Sequence, residues 1–291
     1  MRIAGKGLID RSKAVTFRFD GRSYQGFQGD TVASALLANG QKLMGRSFKY
    51  HRPRGVLTAG SEEPNALVTV GRGAEADPNV RATVQEIYDG LEVRSQNAWP
   101  SLDFDVMAVN DLAAPFLGAG FYYKTFMWPA KFWEAVYEPI IRRAAGLGAL
   151  SGKHDQDRYE RAYAFCDLLV IGGGPTGLMA ALTAARAGAD VILADEDARM
   201  GGRLNAETGV IGHQPGHAWA ADMVAELAAM PNVRLMTRTT VTGAYDGGMY
   251  GALQRVNHHG ARRANLPLET FWRIHARRAI LAAGALERPV A

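Results

Sequence analysis

An α/β fold in two modules is what the sequence predicts, and three observations carry that expectation. Leu168-Leu169-Val170-Ile171 is a short apolar run of the kind buried on both faces of a parallel sheet, and it runs straight into Gly172-x-Gly174-x-x-Gly177. Leu178 to Ala187 then reads as a helix closed by Gly188, followed by a second strand, Asp190 to Ala194, with acids at Asp195, Glu196 and Asp197. Near the N-terminus, a hairpin pattern leads directly into a helix pattern.

The glycine motif, in this strand–turn–helix–strand context, is the fingerprint of a Rossmann-like dinucleotide-binding unit. Each residue type has a mechanical reason. Gly172 permits the tight turn out of the strand, and Gly174 lets the backbone come close to a pyrophosphate. Gly177 lets the helix sit tightly on the sheet, helped by the small face of Ala180, Ala181, Ala184 and Ala185. The free N–H groups of the first helical turn attract the pyrophosphate without any basic side chain. Asp195, about 20 residues beyond the glycines, is placed to accept from ribose hydroxyls and to repel a 2′-phosphate, which disfavours NADP. An NAD site and an FAD site look alike at this level.

Composition excludes several classes. At 291 residues, with 47% hydrophobic and 21% charged residues, the chain is long enough for about two globular domains. The net charge of +4 is spread along the chain, and the Arg-Arg pairs at 142–143, 262–263 and 277–278 read as solvated faces, so no nucleic-acid partner is expected. No apolar run approaches the length of a membrane helix, and the N-terminus lacks a signal-peptide core. With Cys166 as the single cysteine, neither an intrachain disulfide nor a cysteine-held cluster can form, and a reducing cytoplasm is the expected location.

Residues 1–105 read as a ferredoxin-like β-grasp. Val15, Phe17 and Phe19 face one way, Asp20-Gly21 makes the hairpin turn, and Tyr24 and Phe27 return. Gly29-Asp30 offers an N-cap to a helix from Thr31 to Asn39, with Gly40 at its C′ position. In a ferredoxin the loop after this helix carries the cluster cysteines; here Tyr50 to Asn65 contains none.

Three runs carry a family resemblance: Gly29-Asp30-Thr31-Val32-Ala33-Ser34-Ala35-Leu36-Leu37-Ala38-Asn39-Gly40, Arg52-Pro53-Arg54-Gly55, and Ala59-Gly60-Ser61-Glu62-Glu63-Pro64-Asn65-Ala66-Leu67. With the nucleotide unit and Glu287-Arg288-Pro289, they resemble the α subunit of heterotetrameric sarcosine oxidases. Opine and proline dehydrogenase subunits are similar but keep cluster cysteines in the loop, where Thr58 to Glu62 is cysteine-free. The resemblance implies β, γ and δ partner subunits. It implies that FAD on a partner oxidises the N-methyl group of sarcosine, and that FMN at the interface with α takes the electrons. Oxygen leaves as hydrogen peroxide, and the methyl carbon passes to tetrahydrofolate. It implies NAD in this chain, with Gly172, Gly174, Pro175, Thr176 and Gly177 at the pyrophosphate, and Asp195, Glu196 and Asp197 at the adenosine. Gly202-Arg203 would follow as a second glycine step, and Val241 would bring backbone near the adenine. Family α subunits are several times longer, so the Rossmann-like domain, 165–291, is expected to be incomplete at its C-terminus, its final strand being Ala279 to Gly284.

Between the modules, residues 106–164 form an aromatic-rich connector. Phe121, Tyr122, Tyr123, Phe126, Trp128, Phe132, Trp133 and Tyr137 put eight of the chain's 26 aromatic residues into 17 positions. They suit either a plug between modules or a docking face for a partner. Pro129 is placed to start a helix and Pro139 to end or kink it, and Ser151 to Arg161 reads as an exposed linker. Trp219 to Met230 is predicted as a helix, Val233 to Met236 as a third parallel strand, and 239–276 as hairpins. His213 and His217 have helical ligand spacing, but Pro215 and Gly216 between them break the helix, so no metal site is expected. No catalytic residue is assigned; His51 and Arg52 read as loop packing. The rivals that stay open are a free-standing FAD oxidoreductase of the glutathione-reductase type, which lacks its redox cysteine pair here, an amino-acid or opine dehydrogenase subunit, and a structural subunit with a vacant site.

Overall fold

The computed structural model describes residues 2–3, 7–115, 118, 120, 128–144 and 148–285, and separates into two units whose main segments are Ile9–Gln156 and Asp157–Leu286. Much of the aromatic run (Phe121 to Met127) and Glu287-Arg288-Pro289 lie outside the described residues.

The first unit begins with the predicted hairpin. β1 (Asp10–Phe19) and β2 (Arg22–Gln28) are antiparallel. Asp20 and Gly21 take φ of 48° and 78°, the primed turn whose twist matches the strands. Val15, Phe17 and Phe19 are buried, as the alternation requires. α1 (Val32–Ala38) follows at once. Its N-cap is Thr31 rather than Asp30: Thr31 Oγ1 accepts from the Ser34 N–H, and Ser34 Oγ accepts from the Thr31 N–H, a capping box worth about 1 kcal/mol. Asp30 instead turns inward, accepting from the Phe27 N–H at 2.9 Å, the Ser34 hydroxyl and the Arg2 guanidinium.

β3 (Leu67–Val70), β4 (Asp77–Arg81) and β5 (Glu92–Ser95) complete a five-stranded sheet in the order β2-β1-β5-β3-β4. The central pair, β1 with β5, is parallel and the others are antiparallel. With α1 packed on it through Val32, Ala35 and Leu36, this is the β-grasp arrangement. Phe17, Phe19, Leu36, Met44, Val68 and Leu91 form its core. In the connector, Ala130–Phe132 makes a 3₁₀ turn and Trp133–Tyr137 a π turn before α2 (Glu138–Ala144). Pro139 is the second residue of α2, where the π turn gives way to the α-helix, so it marks a change of helix type instead of the end of the helix.

The second unit is built on a six-stranded sheet, with Val210–Ile211 and Gln214–Pro215 paired as a separate two-stranded one. β6 (Tyr159–Ile171) leads through the glycine turn into α3 (Pro175–Arg186) and β7 (Val191–Ala194). α4 (Gly216–Ala228) and β8 (Val233–Met236) follow. A meander of β9 (Thr239–Tyr245), β10 (Met249–Arg255) and β11 (Glu269–Leu281) closes it. The order is β8-β7-β6-β11-β10-β9, with β8, β7, β6 and β11 mutually parallel.

Two expectations need correction here. β6 starts at Tyr159, so the end of the presumed linker is sheet. β11 is one strand paired with β6 from Glu269↔Tyr159 to Leu281↔Ile171, so the last hairpin strand and the terminal strand are continuous. A bulge explains how β6 changes character along its length: the Asp167 and Leu168 N–H groups both donate to the Asp190 carbonyl. Ala164 and Cys166 point to one core before it, and Leu169 and Ile171 point to that same core after it. Leu168 and Val170 face α3 and α4 on the other side. Among the described residues, no helix is long and apolar enough to cross a membrane.

Candidate functional site

The turn between β6 and α3 is built so that only glycine serves at three of its positions. Gly172 has φ of 105°, and a Cβ there would lie 2.5 Å from the Ala282 carbonyl oxygen of β11's exit. A Cβ on Gly177 would lie 1.8 Å from the Gly172 carbonyl oxygen, so the helix could not approach the turn. Gly173 is enclosed by Met200 and by the Asp195 side chain. Gly174 is different: nothing stands within 4 Å of its Cβ position, so its backbone faces open space.

That open space lies at the N-terminus of α3. Gly174 is the N-cap, Pro175 the first helical residue, and no side chain caps the turn. The N–H groups of Thr176 and Gly177 precede the first intrahelical bond, Leu178 N–H to Gly174 carbonyl at 2.9 Å, and so are available to an anion. Pro175 and Thr176 are exposed, while Gly177 and Leu178 are buried against the sheet.

Asp195, at the tip of β7, lies beside this turn. Its Oδ2 accepts from the Gly173 N–H at 2.5 Å and its Oδ1 from the Asp197 N–H at 2.8 Å. The carboxylate is therefore already a tie between the strand tip and the glycine turn, with lone pairs left over for a further donor. The second glycine step also joins the cluster: the Gly201 N–H donates to the Gly173 carbonyl at 2.8 Å, and a Cβ on Gly202 would stand 3.0 Å from Gly174 Cα. Both glycines have positive φ.

The remaining candidates are placed differently. The Arg203 guanidinium pairs with Glu207 at 2.7 Å. Glu196 and Asp197 are exposed; their carbonyls accept from Arg255 and from the Arg238 N–H. Val241 sits two residues into β9, paired with Ala252, its side chain packed in the inner core. The first residue of that strand, Thr239, donates its N–H to the Asp195 carbonyl at 2.7 Å. Thr239 and Met200 are supports that the motif did not single out; the only signal was the apolar Met200 directly before Gly201-Gly202. Among the described residues no group of His, Cys, Asp and Glu could hold a metal ion, and His213 and His217 are not brought into one.

Comparison with known proteins fits this geometry. Residues 167–265 match the family described as FAD dependent oxidoreductase, and residues 12–98 match the 2Fe-2S iron-sulfur cluster binding domain. In structure, the chain is similar to the L-proline dehydrogenase of P. horikoshii, with a TM-score of 0.60 at 19% identity over 97% of this chain and 43% of that one, a likeness of fold. In sequence, it is 61% identical over 290 residues to the sarcosine oxidase subunit alpha of Rhizobium meliloti, covering 99% of this chain and 29% of that protein. It is 38% identical over 288 residues to the sarcosine oxidase subunit alpha of Corynebacterium sp. strain P-1, covering 97% and 25%. The chain thus spans between a quarter and a third of the length of the relatives it matches. Along nearly all of its own length, this chain is similar to sarcosine oxidase alpha subunits.

Proposed function

We propose that the second unit binds the ADP portion of a dinucleotide, with NAD as its ligand, and that the chain serves within the α subunit of a sarcosine oxidase. The observation that carries the reading is the open face of Gly174 at an uncapped helix N-terminus, with Gly202 and Asp195 on either side. In this reading, Gly172, Gly174, Pro175, Thr176 and Gly177 border the diphosphate, and the Thr176 and Gly177 N–H groups donate to it. Asp195 accepts from the ribose, while Glu196, Asp197, Gly202, Arg203 and the Val241 backbone border the adenosine.

When bound, a nicotinamide or flavin group supplies hydride acceptance; this chain's contribution is to bind and orient it. FAD is the rival occupant, favoured by the description of the family matched at 167–265. The wider reaction is proposed from the relatives' name. It comprises oxidative demethylation of sarcosine with oxygen and tetrahydrofolate, with FAD and FMN on or shared with partner β, γ and δ subunits. The chain by itself is then inactive. Denaturing the purified chain and weighing the released nucleotide tests the reading. NAD is expected; FAD would transfer the site to the rival; the absence of any dinucleotide, with none taken up on addition, would overturn both.

A further inference from the structure

The match to a cluster-binding domain at residues 12–98 implies an iron–sulfur centre, and the residues present do not fit one held by thiolates: Cys166, the single cysteine, lies outside that segment. What the structure has instead is a buried carboxylate at the centre of the loop. Glu63 is 1% exposed. Its Oε2 accepts from the Leu57 and Thr58 N–H groups, both at 2.7 Å, and from Thr58 Oγ1 at 3.3 Å. Its Oε1 accepts from the Asn65 N–H at 2.7 Å and the Ala66 N–H at 3.1 Å. Among the described residues no cation pairs with it. A buried anion is thus held entirely by the loop's own donors.

Plant-type ferredoxins hold their cluster with the spacing C-x₄-C-x₂-C and a distant fourth cysteine, and hydrogen bonds to the sulfurs tune the centre. Thr58, Glu63 and Ala66 stand in that spacing. The Glu63 carboxylate draws the backbone of the other two together. A distant fourth position is present as well: Thr83, also buried and just beyond β4, donates its hydroxyl to the Gly60 carbonyl of this loop at 2.7 Å.

We propose that Thr58, Glu63, Ala66 and Thr83 are the four ligand positions of a ferredoxin cradle in which the Glu63 carboxylate has replaced the cluster as the anion that gathers the loop's N–H groups. The first unit then keeps the ferredoxin fold with no electron carrier in it. It acts as a scaffold whose loop is locked by an internal ligand.

Replacing the four residues by cysteine in the full chain (Thr58→Cys, Glu63→Cys, Ala66→Cys, Thr83→Cys) and supplying ferric ions and sulfide without oxygen is the test. Two ferric ions, two sulfides and four thiolates combine with no electron gained or lost. About one [2Fe–2S] centre per chain is expected, seen as visible thiolate-to-iron bands and, after one-electron reduction by dithionite, as an electron paramagnetic resonance signal. A folded variant that takes up no cluster would overturn the proposal. So would equal uptake by a control with its cysteines moved one residue along the loop. A second variant is scored whether or not the first folds: Thr58→Cys/Ala66→Cys keeps Glu63, and with it the loop. It is expected to bind about one Cd²⁺ per chain with a thiolate charge-transfer band; a folded double variant without that band would contradict the geometry.

Discussion

Asp195 and Gly173 are joined by a hydrogen bond from the glycine N–H to Oδ2 at 2.5 Å, which fastens the tip of β7 to the turn leaving β6. The acid thus shapes the turn; the proposed function gives it a second duty, to meet a ribose, and the two separate experimentally. Asp195→Asn keeps an acceptor oxygen but loses the charge; Asp195→Ala loses both. Hydrogen bonds to charged groups are worth about 1.5–3 kcal/mol, so Asp195→Ala is expected to weaken dinucleotide binding on the order of 10- to 100-fold. Titration calorimetry checks this, and unchanged affinity would remove Asp195 from the site.

Gly172→Ala bears on the fold rather than on ligand contact. It places a side chain at φ of 105° and drives a Cβ against the Ala282 carbonyl oxygen. A loss of at least about 2 kcal/mol is expected in denaturant unfolding of the variant. A variant as stable as the unaltered chain would mean that the turn has another conformation.

Acid should loosen the first unit through Glu63. Burial pushes its carboxyl up, but the N–H donors of Thr58, Asn65, Leu57 and Ala66 outweigh burial and hold it below its usual 4.5. A carboxyl lowered in the folded state contributes stability that is complete above about pH 4.5 and is lost as pH falls through the native value. Glu63→Gln is expected to cost about 2–3 kcal/mol at neutral pH and to flatten the acid limb of melting temperature against pH. An acid limb unchanged by the substitution would contradict the buried hydrogen-bond set.

Cys166 should titrate late. Burial first, then the nearby carboxylates of Asp167 and Asp190, raise its thiol from 9.0 to about 11, against an Ile192 backbone hydrogen bond that lowers it. The stability this thiol contributes is whole below about pH 9 and is lost as pH rises toward 11. The rate of alkylation in the folded chain is expected to rise with a midpoint near 11, and a midpoint near 9 would show the thiol to be exposed.

Sarcosine-dependent peroxide formation is expected to be absent in this chain alone, because the reading places the oxidising flavin on a partner. A peroxidase-coupled assay on the purified chain checks it. Peroxide formed there would end that division of labour.

Much of this architecture was legible because its signals are local. Asp20-Gly21 between alternating strands reads as a hairpin on sight, and the glycine motif lies between a buried strand and an alanine-faced helix. The start of β6 was not legible, because Tyr159, Arg161, Tyr163 and Phe165 are exposed and the residues between them are Glu160 and two alanines, so the apolar signal begins only at Leu168. The unity of β11 was hidden by Arg277-Arg278, which read as a solvated face and gave no sign that the strand runs through it. The cap was misplaced by one residue because Asp30 and Thr31 are both good caps, and only the inward demand of Phe27 and Arg2 decides between them. Glu63 left no trace in periodicity or charge pattern; its one signal was its place in the Thr58–Glu63–Ala66 spacing.

The central claim is that the open face of Gly174 is where a diphosphate lies, and Gly174→Ala tests it most directly. Its φ of −71° and empty surroundings mean that the added methyl should leave the melting temperature almost unchanged. Calorimetric titration with NAD, and with FAD beside it, is then expected to show binding to the unaltered chain and a loss of at least about tenfold in the variant. Equal binding by both proteins would contradict the account.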